Sequence, residues 1–172
     1  MSNTPMDLFV GVSAVLTGID ASKLAPSLDP VNIKQTYFDY VQSKDGATFQ
    51  QLLNIYDQNQ TQPPATIGNI ILTQSGDAVC YLARSIMLMW YLGSWYDPAT
   101  LQKYNSPNPP KQPLGAVAVI SSEAYTQGWA WSVAQAHPMG YSNFTFGYWG
   151  SNPPTLQDFV GGTGGGAPWP QK

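Results

Sequence analysis

The stretch from Val79 to Tyr96, VCYLARSIMLMWYLGSWY, constrains the fold more than any other part of the chain. Val79, Leu82, Ala83, Ile86, Met89 and Trp90 recur at spacings of three and four, the period of one helix face. Met87, Leu88 and Tyr91 fall on the other sides. A helix that is apolar nearly all round must be covered by more than one neighbour. The pattern therefore predicts a central helix, with Asp77 as its N-cap and Gly93 as its C-terminal stop. The same block holds the only cysteine, Cys80, and the only arginine, Arg84.

Shorter periodic segments surround it. Leu8, Phe9, Val12, Val15 and Leu16 share a face in residues 6–18, and Gly18 can end that helix. Asp29-Pro30 reads as the start of a second helix carrying Ile33, Tyr37, Phe38, Tyr40 and Val41, and Asp45-Gly46 as its stop. A third helix is expected over about 47–57, with Phe49, Leu52, Leu53 and Tyr56 inward, before the proline-containing loop QNQTQPP. Ile67, Ile70, Ile71 and Leu72 suggest one more short helix. Past Pro98 the composition changes. NSPNPPKQPLG cannot be a long helix, and AVAVI (116–120) is a short β-like run. Ser121 or Ser122 can cap a helix bearing Glu123, Tyr125, Trp129, Ala130 and Val133 that ends near His137-Pro138. The reading is a mainly α, compact small helical bundle over residues 1–160. Its C-terminal part is an irregular loop region rich in aromatic residues, Gly and Pro, and residues 161–172 form a flexible glycine-rich tail.

Composition excludes several function classes. Only 10% of the 172 residues are charged, and the net charge is −3. The seven basic residues are spread along the chain, so the clustered Lys and Arg of a nucleic-acid surface are missing. No apolar run reaches the roughly 18–20 residues of a membrane-spanning helix. Asn, Gln, Ser and Thr must supply most of the polar surface, and a surface so poor in charge suits either a chain partly covered by a partner or one adapted to an unusual environment.

A catalytic site is hard to assemble from these residues. His137 is the single histidine, and a place at a helix C-terminus accounts for it. Cys80 sits in apolar surroundings that leave a thiol inert. One His, one Cys and nine scattered Asp show no metal-ligand spacing. Glu123, the only glutamate, could act with an Asp in a small hydrolase, but a structural ion pair between Arg84 and Glu123 accounts for it more simply. Exposed Trp and Tyr could instead stack on sugars in a carbohydrate-binding module.

Three blocks in a fixed order carry a resemblance: LFVGVSAVLTG (8–18), LARSIMLMWYLGSWYD (82–97) and VISSEAYTQGWAWSVAQAHPMGYSNFTFGYWG (119–150). Together they resemble the small-subunit family of bacterial membrane-associated FAD-dependent sugar and polyol dehydrogenases, which serve sorbitol, fructose, gluconate and glucose oxidation. That family has a hydrophobic-LTG helix, here Leu16-Thr17-Gly18, and a helix ending in W-Y-x-G, here Trp90-Tyr91-Leu92-Gly93. A Glu-Ala segment follows, here Ser121-Ser122-Glu123-Ala124, and then a loop with Tyr, Gly and Trp, here Tyr141 to Trp149.

The resemblance implies a non-catalytic accessory subunit without a cofactor of its own. FAD resides in the large dehydrogenase subunit that it binds, stabilises and helps to export to the periplasm. Some complexes add a haem-containing electron-transfer subunit. The implied docking residues are Trp90, Tyr91, Gly93, Tyr141, Ser142, Phe146 and Trp149. The chain departs from the pattern in having Ser142 where family members often carry a cysteine, and a serine where tyrosine precedes Glu-Ala. It also lacks the twin-arginine leader, which implies that a leader has been removed or that another subunit carries the export signal.

Overall fold

A computed structural model describes residues 3–111, 118–134 and 136. Its architecture is mainly α. The helices are α1 (Pro5–Thr17), α2 (Ala21–Leu24), α3 (Ile33–Asn59) and α4 (Pro64–Asn69), the last running into a π-helical turn at Ile70–Gln74. Then follow α5 (Asp77–Leu92), β1 (Ser94–Trp95), α6 (Pro98–Tyr104), β2 (Ala118–Val119), α7 (Ser122–Thr126) and α8 (Trp129–Val133).

The expected central helix is α5, which packs against α1, α3, α6, α8, the π turn and β1. All six residues assigned to its inner face are buried, together with Ser85. The Ser85 hydroxyl tolerates that position because it donates to the Tyr96 carbonyl at 2.6 Å, which satisfies a buried polar group. The start of α5 corrects the sequence reading. Gly76, at φ 82° and ψ 162°, is the cap residue, a conformation open to glycine. Asp77 is the first helical residue, where its carboxylate lies at the positive end of the helix dipole and accepts from Gln102 Nε2 at 2.8 Å.

The chain forms α1 around a capping box: Thr4 Oγ1 accepts from the Asp7 amide, and the Asp7 carboxylate accepts from the Thr4 amide. Leu8, Phe9, Val12 and Leu16 are buried as the period requires, while Val15 is only half-buried. Both α1 and α5 end on a glycine in the left-handed region, Gly18 at φ 73° and Gly93 at φ 63°.

Between residues 33 and 59 the two expected helices are joined through one sharply bent residue. Asp45 has non-helical φ −153° and ψ 75°, and its carboxylate accepts from the Thr48 amide at 3.0 Å, which restarts the helix. The bend is large. Phe38 and Phe49 lie 11 positions apart, about 16 Å along a straight helix axis, yet their ring centroids are 5.3 Å apart. Phe9 of α1 fills the inside of the bend, edge-on to Phe38 at 5.7 Å and to Phe49 at 5.6 Å, and stacks on Trp90 of α5 at 6.0 Å. The entry to α3 differs from expectation. Asn32, not Asp29, precedes the first turn, and the Asp29 carboxylate accepts from the Asn32 amide at 2.6 Å to close a local turn.

The β-like run becomes β2, which pairs antiparallel with β1, Ser94 opposite Val119 and Trp95 opposite Ala118. The single helix expected from Ser121 to His137 is two short helices, α7 and α8, broken at Gln127-Gly128. Ser121 caps α7 through its hydroxyl, as expected. Among the described residues no helix is long and apolar enough to cross a membrane. The C-terminal loop region and the glycine-rich tail lie outside the described residues.

Candidate functional site

Three segments far apart in sequence meet at the C-terminal end of α5. The Tyr91 hydroxyl reaches the end of α1 and donates to the Thr17 carbonyl at 2.7 Å. Half-burial raises the pKa of that phenol, so it remains a donor. Gly93 lies against α7: a Cβ there would clash with the carbonyl group of Ala124 and stand 2.6 Å from Tyr125 Cα. Gly128 approaches from the other side, where an added Cβ would stand 2.8 Å from the Tyr91 carbonyl oxygen. The Ile120 amide donates to the Gly93 carbonyl at 3.2 Å. Ala124 is fully buried, and its carbonyl accepts weakly from Tyr37 at 3.4 Å. Two glycines thus let backbone pack on backbone, and this close approach explains the break between α7 and α8.

Of the expected docking residues, this packing corrects Trp90 and Gly93, which are buried, and leaves Tyr91 half-buried. Trp90 is 1% exposed, with Tyr37 edge-on at 4.8 Å, and Gly93 is buried under α7. Tyr91 spends its hydroxyl on Thr17. These residues tie the chain to itself. Tyr141, Ser142, Phe146 and Trp149 lie outside the described residues, as does His137.

The Arg84–Glu123 ion pair is also corrected. Arg84 is on the exposed side of α5, with its guanidinium over the Tyr81 ring, 5.5 Å from the centroid. Glu123 is exposed in the first turn of α7 and accepts from the Ser122 hydroxyl at 2.9 Å. Backbone and serine hydrogen bonds lower its carboxyl pKa. Cys80 is half-buried with its thiol directed at the Leu72 carbonyl, 3.1 Å away in the π turn. Among the described residues no three His, Cys, Asp or Glu gather as metal ligands.

Apolar side chains stay exposed at this end of the molecule beside the polar Ser122, Glu123 and Gln127. The large hydrophobic side chains most exposed among the described residues are Leu28 at 88%, Val119 at 55%, and Tyr125 and Val133 at 40% each. Three of these four belong to the segment from β2 to α8. Trp131 lies edge-on to Tyr125, at 5.5 Å and 79°, and donates Nε1–H to the Tyr125 carbonyl at 2.9 Å. Sequence reasoning missed Val119, Val133 and Gly128. Gly128 alone carried a signal, since a glycine between two aromatic segments can mark a close backbone approach.

No family model matches the chain, and no curated protein or solved structure matches it either.

Proposed function

We propose that this chain is a non-catalytic accessory subunit that binds and stabilises a large FAD-dependent sugar or polyol dehydrogenase subunit and accompanies it to the periplasm. FAD and the oxidation chemistry belong to that partner, and a haem-containing subunit carries electrons onward where the complex includes one. The observation that carries the reading is the exposure of the apolar side chains Val119, Tyr125 and Val133 in the segment from β2 to α8. Two glycine contacts and the Tyr91–Thr17 bond fix its base. Exposed apolar side chains on a charge-poor surface suit burial against another protein. The ordered blocks 8–18, 82–97 and 119–150 supply the identity of the partner by resemblance.

The reading predicts a large flavoprotein in the adjacent reading frame, and the test is co-expression with that protein, followed by size exclusion. The expected result is co-elution of the two, lost in a Val119→Asp/Val133→Asp double variant that keeps the wild-type circular dichroism. A chain that stays monomeric beside a flavoprotein fully soluble and active alone refutes the reading.

A further inference from the structure

We infer that Arg84 is a docking anchor which receives an Asp or Glu carboxylate of the partner subunit. The inference rests on the accessory-subunit reading and adds to it a charged contact on a different helix. Arg84 is the single arginine in a chain of net charge −3. It is exposed, and among the described residues it makes no hydrogen bond or ion pair with an acid. Its neighbours one turn away on α5 are Cys80, Tyr81, Met87 and Leu88, none of them a carboxylate. The nearest acid on that helix is Asp77, which accepts from Gln102.

The guanidinium nevertheless has a defined place. It lies over the Tyr81 ring at 5.5 Å, within the range of cation–π attraction. The ring in turn is positioned by Asn105, whose Nδ2 donates to the Tyr81 hydroxyl at 3.0 Å. None of the Arg84 N–H donors meets a carboxylate among the described residues, and the guanidinium fork matches a carboxylate through two parallel hydrogen bonds. Prior placement over the ring lowers the side-chain entropy lost on docking. Arginine and tyrosine are also the residue types that dominate binding energy at interfaces.

The experiment titrates wild type, R84A, R84Q, R84K and R84E against the large flavoprotein subunit that the accessory-subunit reading predicts, at low and moderate salt. The exposure of Arg84 predicts unchanged circular dichroism and urea midpoints for these variants. The expected result is an affinity loss of tenfold or more in R84A and R84Q and a greater loss in R84E. R84K should retain part of the affinity, since a lysine keeps the charge but not the fork. Y81L should also weaken binding, by freeing the guanidinium from its platform. Salt should weaken wild type more than R84A. A loss under tenfold in both R84A and R84Q overturns the anchor and leaves the accessory-subunit reading standing if the Val119/Val133 double variant still fails to bind. A wild-type chain that does not bind overturns both.

Discussion

Gly18 and Gly93 form a matched pair in which one helix end is open and the other is pressed against backbone. Each ends a helix in the left-handed region, at φ 73° and 63°, and each donates its amide four residues back at 2.9 Å, to Ala14 and Met89. Alanine at either site pays the left-handed cost of about 1–2 kcal/mol, reduced by roughly 0.4–1 kcal/mol because it orders the unfolded chain. At Gly18 nothing else lies within 4 Å of an added Cβ, so the net loss should be about 1 kcal/mol. At Gly93 the Cβ meets the Ala124 carbonyl and Tyr125 Cα, which are backbone atoms that no rotamer change can move. Relief requires α7 to back away, breaking the Ile120–Gly93 hydrogen bond and uncovering Ala124. Overpacking of this kind adds about 1–3 kcal/mol or more. Gly93→Ala should therefore cost about 2–4 kcal/mol in total.

Urea titration read by tryptophan fluorescence measures the difference, since Trp90 and Trp95 are both buried. With a urea slope of about 2 kcal/mol per molar, Gly18→Ala should lower the midpoint by roughly 0.5 M and Gly93→Ala by roughly 1–2 M. Asparagine separates the two causes, because it tolerates the left-handed region. Gly18→Asn should lose less than Gly18→Ala, whereas Gly93→Asn should be no better than Gly93→Ala. Equal midpoint shifts at the two sites would refute the claim that α5 and α7 meet backbone to backbone.

Three further outcomes follow from the packing. Ser13 is fully buried and its hydroxyl has no hydrogen-bond partner, so Ser13→Ala should raise stability by about 1 kcal/mol, a melting shift of roughly 2–4 °C by calorimetry; a loss of stability would mean the hydroxyl is satisfied. Phe9→Leu removes a ring touching Phe38, Phe49 and Trp90 and should cost about 2 kcal/mol by urea denaturation, with unchanged stability ruling out the role of Phe9 inside the α3 bend. Hydrogen bonds hold the carboxyls of Asp7, Asp20 and Glu123 below their usual range, so each favours folding when ionised. Their contribution is complete above the unfolded values, near pH 4, and is lost as pH falls through the lower folded values. The urea midpoint should drop over that acid range, and Asp7→Asn should flatten the drop; an identical acid profile in the variant would count against the capping box.

The alternating spacing of apolar residues told the sequence reader which elements exist and which faces they bury. A period of three and four over 79–90 is enough to place six inward side chains, because a helix face is a local property of backbone geometry. The left-handed stops at Gly18 and Gly93 and the cap at Ser121 were legible for the same reason. Element starts were less so. Asp29 and Asp77 read as caps and Asp45 as a stop, yet of the three it is Asp45 that caps a helix, restarting it in the middle of the chain. A short carboxylate serves a turn, a cap or a neighbour equally well, and tertiary position selects among them.

The candidate site was the least legible part. Trp90, Tyr91 and Gly93 read as a surface signature because they close an apolar helix, yet Tyr91 turns to Thr17, 74 residues away, and Gly93 lies under Ala124. Arg84 and Glu123 looked like natural partners by charge alone, and the fold puts one over Tyr81 and the other beside Ser122. By itself the sequence determined a mainly α chain with a buried central helix, since propensity and periodicity act over a few residues. Only the tertiary structure decided that α3 bends back on itself around Phe9, that glycines at 93 and 128 let α5 touch α7, and that Val119, Tyr125 and Val133 stay uncovered. Those outcomes depend on which distant backbones approach one another, and no local pattern encodes that distance.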